Sequence, residues 1–290
     1  MDESNQITVI DNLITGDLKN IEKYKKSSNF KFLEHDIQES IYFDQKIDYV
    51  VHLASCASPK AYAKYPINTL KSGSIGTINA LGISKHHNAK FFLASTSEIY
   101  GDPEISPQNE DYWGNVNTLG PRSMYDESKR FAESATHSYI TTHNLNGSIA
   151  RIFNTYGPNM QIDDGRVVTN FIYQALKGKE ITIYGNGEQT RSFSYIDDTL
   201  DGILKIIHYE KSDVFNIGND NEVTIKYLAE KIIELTNSNS KIVYHELPIN
   251  DPKQRKPDLT KAKELLNYKP KTSLEDGLKL TIDWISANYK

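Results

Sequence analysis

The residues Tyr125-Asp126-Glu127-Ser128-Lys129 set a phenol and an ammonium four positions apart. On a helix, positions i and i+4 share a face, so both groups can point into one cleft. A free tyrosine ionises near pH ~10, about three units too high for a base at neutral pH. A neighbouring ammonium favours the phenolate and lowers that value. Such a pair suits removal of a hydroxyl proton. Alone the spacing is a weak signal, because many solvated helix faces carry it by chance.

A second segment strengthens it. Ala94-Ser95-Thr96-Ser97-Glu98-Ile99-Tyr100-Gly101 follows the apolar run Phe91-Phe92-Leu93 directly. Small hydroxyls and one carboxylate therefore sit at the C-terminal end of a strand, the edge where open α/β sheets bind ligands. His86-His87 reads as a solvated helix end, and no cluster has metal-ligand spacing, so no metal is expected.

These side chains need a scaffold, and the chain alternates short apolar runs with longer amphipathic ones, the pattern of an α/β fold. Ile7 to Ile10, Tyr49 to Ala54, Phe91 to Ala94, Ser148 to Phe153, Val214 to Gly218 and Ile242 to Tyr244 read as strands. The nearly continuous apolar ones suit a parallel sheet covered on both faces. Helices are expected near 66–87, 122–143, 166–178, 196–209, 224–236 and 274–288. The last opens on a capping-box pattern, Ser273 with Asp276.

With 38 acidic and 33 basic side chains the net charge is −5, which excludes a general nucleic-acid binder. The single cysteine, Cys56, fits a reducing compartment, and no apolar run reaches the roughly 18–20 residues of a membrane span. A cytoplasmic protein is expected.

Taken together, the motifs identify a resemblance to the extended short-chain dehydrogenase/reductase superfamily, and within it to the UDP-glucuronate decarboxylases. Its specific passages are Ser95 to Asp102, Asp111 to Asn117, Ala150 to Pro158, Asp164 to Val168, Gln189 to Phe193 and Arg255 to Asp258. The resemblance implies a Rossmann-like doubly wound parallel sheet with a smaller C-terminal substrate lobe. The division falls at 1–158 and 159–290, with part of 186–220 returning to the first domain. It implies NAD as cofactor, a UDP-sugar substrate and a homodimer through helices near 66–87 and 122–143.

Residue by residue, the resemblance gives Asp11 the adenosine ribose, with Asn12, Thr15, Gly16, Asp36 and Ile37 around the adenosine. Leu53, Ala54, Ser55, Ser72, Ala94 and Thr155 would line the pyrophosphate and nicotinamide ribose. Lys71, Asn79, Asn154 and Arg191 would contact the sugar and diphosphate. Arg166, Val167, Val168 and Tyr184 would grip the uridine end, and Arg255 would reach in from the C-terminal lobe. Tyr125 and Lys129 would carry the proton, with Thr96, Ser97 and Glu98 beside the sugar. Related 4,6-dehydratases carry Thr-Asp-Glu, because expelling water needs a proton donor. Here the middle residue is Ser97, which favours decarboxylation over a dehydratase-like reaction.

One departure matters. The sequence opens at what corresponds to the second strand of such a domain, and none of its sixteen glycines has the G-x-x-G-x-x-G spacing that brings amides to a dinucleotide pyrophosphate. The expectation is an incomplete version of the enzyme, with unpaired ladder edges on two central strands. The alternative is a UDP-sugar binder that has lost NAD and catalysis. Gly73 in place of a usual asparagine and Asn159 in place of a common arginine are smaller departures.

Overall fold

The computed structural model describes residues 5–247 and 254–289. In chain order its elements are β1 (Ile7–Asp11), β2 (Phe30–Glu34), β3 (Tyr49–His52), α1 (Pro59–Lys64), α2 (Pro66–Lys71), α3 (Thr77–His87), β4 (Lys90–Thr96), α4 (Ser123–His143), β5 (Gly147–Ile152) and β6 (Thr155–Tyr156). There follow α5 (Val167–Leu176), β7 (Ile181–Tyr184), β8 (Thr190–Ser192), β9 (Ser194–Tyr195), α6 (Ile196–His208), β10 (Val214–Ile217), β11 (Glu222–Thr224), α7 (Ile225–Thr236), β12 (Ile242–His245), β13 (Gln254–Arg255), α8 (Thr260–Leu266) and α9 (Leu274–Asn288).

Helix ends follow local chemistry. Ser58 and Ser273 accept backbone N–H groups at the starts of α1 and α9, and proline opens α1 and α2. Asn88, Asn144, Asn237 and Asn267 end α3, α4, α7 and α8 in the left-handed conformation that asparagine tolerates.

The main sheet is parallel, in the order β10-β5-β4-β3. Its centre is apolar on both faces. Phe91 and Leu93 meet Leu81, Ala132 and Ile149 on one side, while Phe92 and Ala94 meet Ile206, Phe215, Leu259 and Tyr268 on the other. α3 and α4 thus cover one face and α6 with α8 the other. A separate core lies between α5, α7, α9 and β7, around Phe171, Ile183, Leu228, Ile232 and Ile285.

β1 and β2 form a parallel pair apart from this sheet. The second edge of β1 and the outer edge of β3 have no strand partner among the described residues. This matches the expected open ladder edges. It also corrects one expectation: β3 is not covered on both faces, for Tyr49 is 51% and Val51 43% exposed. Tyr49 and Val51 lie two residues apart and so share one face of β3, and that face has no covering element among the described residues.

The helix expected at 66–87 is interrupted by a π-helical turn at Ser72–Gly76. A Cβ on Gly73 would lie 2.6 Å from Cβ of Ser128, so the wider turn goes with a close approach of α4. The helix expected from 166 begins at Val167, since Arg166 has extended backbone.

Candidate active site

β4 and α4 bring the reactive groups together. Thr96, Ser97 and Glu98 stand at the C-terminal end of β4, and Tyr125 and Lys129 project one turn apart from the first half of α4. Lys129 Nζ donates to the Ala94 carbonyl at 2.8 Å. The Thr96 and Tyr125 hydroxyls are hydrogen-bonded, and Thr96 also accepts the Glu98 N–H at 3.3 Å. The Tyr125 ring is buried and stacks on Tyr62 of α1, centroids 5.3 Å apart and planes 15° from parallel.

Glu98 is not the exposed loop carboxylate that its position also allowed. Arg255 donates to it through two bonds, Nη1 to Oε1 at 2.6 Å and Nη2 to Oε2 at 3.0 Å, and Arg122 makes a further ion pair. The parallel pairing of β13 with β8 sets Arg255 opposite Arg191, which adds its field. Burial alone would raise the Glu98 carboxyl; the guanidinium groups outweigh it and hold the group below its ordinary range.

The protein's own groups act on Tyr125 in both directions. Burial and the Glu98 charge push the phenol up, and the Thr96 bond offsets only part of this. Lys129 lies 5.9 Å from the ring centroid, and burial pulls its own ammonium down to about 8. Among the protein's own groups, low dielectric outweighs the cation.

Asp126, also buried, has its Oδ1 unpartnered, and burial followed by the Glu98 charge raises it to about 7. The folded chain therefore binds this proton more tightly than the unfolded chain, so stability falls as pH rises from 3.8 toward about 7. Asp126→Asn is expected to raise the melting temperature at pH 8 and to leave it unchanged below about pH 3.8. Thermal melts at both pH values check this.

On the adenosine side, the Asp11 Oδ1 accepts the Leu13 N–H at 2.6 Å, and Asn12 Nδ2 donates to Asp36 at 3.0 Å. A Cβ on Gly16 would come within 2.9 Å of the Asp11 carboxylate, so a larger residue there would have to displace it. Ile37 packs against Gly76, and Ser72 is buried in the π turn. Ser55 Oγ is buried and unpartnered, while Leu53 is exposed. Ala54 is half-buried beside them, and the Thr155 hydroxyl bonds to the Phe153 carbonyl and Thr199.

The substrate candidates are more scattered. Lys71 ends α2, and Asn79 donates to the Ile37 and Glu39 carbonyls, which ties it to the adenosine-side loop. The Asn154 carbonyl accepts from Ser194. Arg166 pairs with Asp164 at 3.3 Å and reaches the Ala57 carbonyl. Val167 is half-buried, but the Val168 side chain lies in the second core, so only its backbone remains for a ligand. Tyr184 is half exposed beside His245. A cleft of about 510 Å³ runs between Thr15, Ser55, Ala57, Gln161, Asp164 and Arg166.

Sequence reasoning missed Arg122, Tyr62 and a buried Glu133–Arg151 pair. Arg122 stands three residues before Tyr125, a same-face spacing that could have flagged it. Tyr62 left no signal, since its partner is 63 positions away.

A parallel sheet with a Tyr-x-x-x-Lys helix and a hydroxyl-rich strand end places the chain in the extended short-chain dehydrogenase/reductase superfamily. The GDP-mannose 4,6 dehydratase family pattern matches residues 3–281. Among curated proteins, the chain is 48% identical over 278 residues to UDP-glucuronic acid decarboxylase 5 of Arabidopsis thaliana, covering 96% of this chain and 81% of that one. It is 45% identical to UDP-glucuronic acid decarboxylase 1 of Xenopus tropicalis, covering 98% and 67%. The chain belongs to the UDP-glucuronic acid decarboxylase family.

Solved structures agree on the fold. A Bacillus cereus UDP-glucuronic acid 4-epimerase in complex with UDP-glucuronic acid and NAD superposes with a TM-score of 0.88 at 29% identity, covering 99% of this chain and 93% of that one. UDP-glucose 4-epimerase of Thermotoga maritima gives 0.89 at 29%, covering 98% and 91%.

Proposed function

We propose that this chain decarboxylates UDP-glucuronate to UDP-xylose through a 4-keto sugar, with NAD as cofactor. The observation that carries the reading is the Tyr125 hydroxyl, bonded to Thr96 at the end of β4 with Lys129 one turn along α4. The fit to NAD rests on Asp11, whose carboxylate suits ribose hydroxyls and repels an extra phosphate, on Asp36 at the adenine end, and on the unpartnered Ser55 hydroxyl. When bound, NAD supplies a reversible hydride acceptor and a positive ring.

In this reading, Tyr125 takes the proton from the carbon-4 hydroxyl while Thr96 holds that oxygen in register. The resulting ketone is β to the carboxylate, so the bond to the carboxylate breaks, carbon dioxide leaves and the bond's electrons pass into an enolate. Carbon 5 then takes a proton from Tyr125 or a neighbour, and the carbon-4 ketone regains the hydride it lost. No strong acid is needed, in keeping with a hydroxyl at Ser97. Glu98 stands by the carboxylate-bearing carbon, and Arg191 and Arg255 meet the sugar and diphosphate. Residues 1–158 hold the cofactor and 159–290 the UDP-sugar, with part of 186–220 on the cofactor side.

Incubation with UDP-glucuronate and NAD is expected to release UDP-xylose and carbon dioxide in equal amounts. A 4-epimer or a dehydrated sugar with the carboxylate retained would refute this. UDP binding without turnover would favour the non-catalytic alternative.

The homodimer belongs to the same reading. Ile67, Leu70, Ile75, Ile78 and Phe131 are exposed along the packed helices α2 to α4 and form an apolar face. Light scattering at micromolar concentration is expected to give twice 33.0 kDa. A persistent monomer would contradict it.

No described helix is long and apolar enough to cross a membrane.

A further inference from the structure

Glu133 lies one turn past Lys129 and two turns past Tyr125 on the same face of α4. Three consecutive β4 residues receive that face: the Ala94 carbonyl takes Lys129, the Ser95 hydroxyl donates to Glu133 at 2.5 Å, and Thr96 bonds Tyr125. From β5, Arg151 grips the Glu133 carboxylate with Nη2 at 2.8 Å and Nε at 3.1 and 3.2 Å. Its Nη1 donates to the Tyr100 hydroxyl at 2.9 Å and the Glu110 carbonyl at 2.7 Å. Both partners are nearly buried, with side chains 12% and 13% exposed. The mechanism above uses neither.

We propose that Glu133 is a positioning residue for the proton-transfer pair: with Arg151 as counterweight, it sets the charge that Lys129 carries. The proposal rests on the reading of Tyr125 and Lys129 as that pair.

The argument is electrostatic. A buried ammonium bonded to a neutral carbonyl has little to keep it charged, and a carboxylate one turn away favours the charged form. Arg151 opposes that help, being a cation bound to the same carboxylate. The other charged or titratable groups facing Lys129 are His52 on β3, Tyr125 on α4 and Glu98 beyond β4. His52 donates to or accepts from Thr77 at 3.0 Å and is held neutral, pulled down to about 3. Tyr125 is pushed up and Glu98 down, so neither changes charge near neutrality. Among the described residues, Glu133 is the one charged group that supports the Lys129 charge against burial.

The two partners should therefore act in opposite directions. In the full chain labelled with ¹³C at the lysine ε-carbons, the Lys129 resonance, assigned with Lys129→Arg, reports its titration by NMR. Glu133→Gln is expected to move the midpoint down by about one pH unit, and Arg151→Met to move it up. The alkaline limb of the decarboxylation rate should follow each shift. Glu133→Asp and Arg151→Lys, which keep the charges, should leave the midpoint in place. Shifts in the same direction, no shift, or an equal shift in the charge-keeping variants would overturn the proposal. If Glu133→Gln does not fold, Arg151→Met decides alone, because loss of packing gives no upward shift. The midpoint needs no substrate, so failure of the decarboxylase reading shows separately, as absent turnover with the midpoints moving as stated.

Discussion

Tyr125→Phe is expected to lower the rate of UDP-xylose formation by about 10³-fold, within the range of 10²–10⁴ for losing a positioned acid–base group. The substitution deletes one oxygen and nothing else of consequence. The ring keeps its stack on Tyr62 and its buried place beneath Lys129. Thr96 keeps the Glu98 N–H as a donor, so the strand end holds its shape. Stability should change by no more than about 1 kcal/mol, the net worth of one hydrogen bond. UDP affinity, measured by calorimetry, should stay within about twofold, because the substitution removes no charge from the arginines proposed for the uridine and diphosphate. A rate loss with unchanged UDP binding separates chemistry from folding. Product forming at the original pace would end the assignment of Tyr125.

Glu98→Gln is the second large effect, and it acts on both stability and rate. The carboxylate stands between Arg255 and Arg122 with Arg191 in range, largely out of water. A neutral amide keeps the shape and removes the only negative charge in that pairing. Breaking a buried ion pair by neutralising one partner costs about 3–5 kcal/mol, because the remaining cations lose their compensation. The pH dependence has a definite sign. The folded value lies below the ordinary 4.5, so the stabilisation is fully present above that pH and fades as pH falls through the lowered value. Denaturant melts of the two proteins should therefore differ most near neutrality and converge in acid. Turnover should fall by about 100-fold or more, since Glu98 also sits beside the sugar candidates. A variant as stable as the parent at pH 7 would contradict this account of the cluster.

Much of this site was legible before any coordinates. Tyr125, Lys129 and Thr96 could be read because each motif is local: a helical spacing, or a strand running into hydroxyls. The arginines around Glu98 were harder. Arg255 is 157 positions away, and only the β13–β8 pairing brings it to the carboxylate. The resemblance assigns it to the substrate, and its ion pair with Glu98 was not expected, because ionic contacts between distant segments leave no periodic trace.

The fold divides in the same way. α4, α6, α7 and α9 were expected as amphipathic stretches between the apolar runs, and β4 from its continuous apolar run. β2, β6 to β9, β11 and β13 were missed, all of them only two to five residues long. Strands that short carry too little pattern to stand out. The π turn at Ser72–Gly76 was also hidden, since it accompanies the contact of Gly73 with Ser128 rather than any propensity of its own. By contrast, the open edge beside β1 was expected from the family resemblance taken together with the absent glycine spacing.

The most direct measurement is an NMR analysis of the product formed from UDP-glucuronate carrying deuterium at carbon 4, with NAD added. The account predicts UDP-xylose that keeps the deuterium at carbon 4, with one carbon dioxide released per sugar. A product that retains its carboxylate, or a xylose with solvent hydrogen at carbon 4, would contradict it.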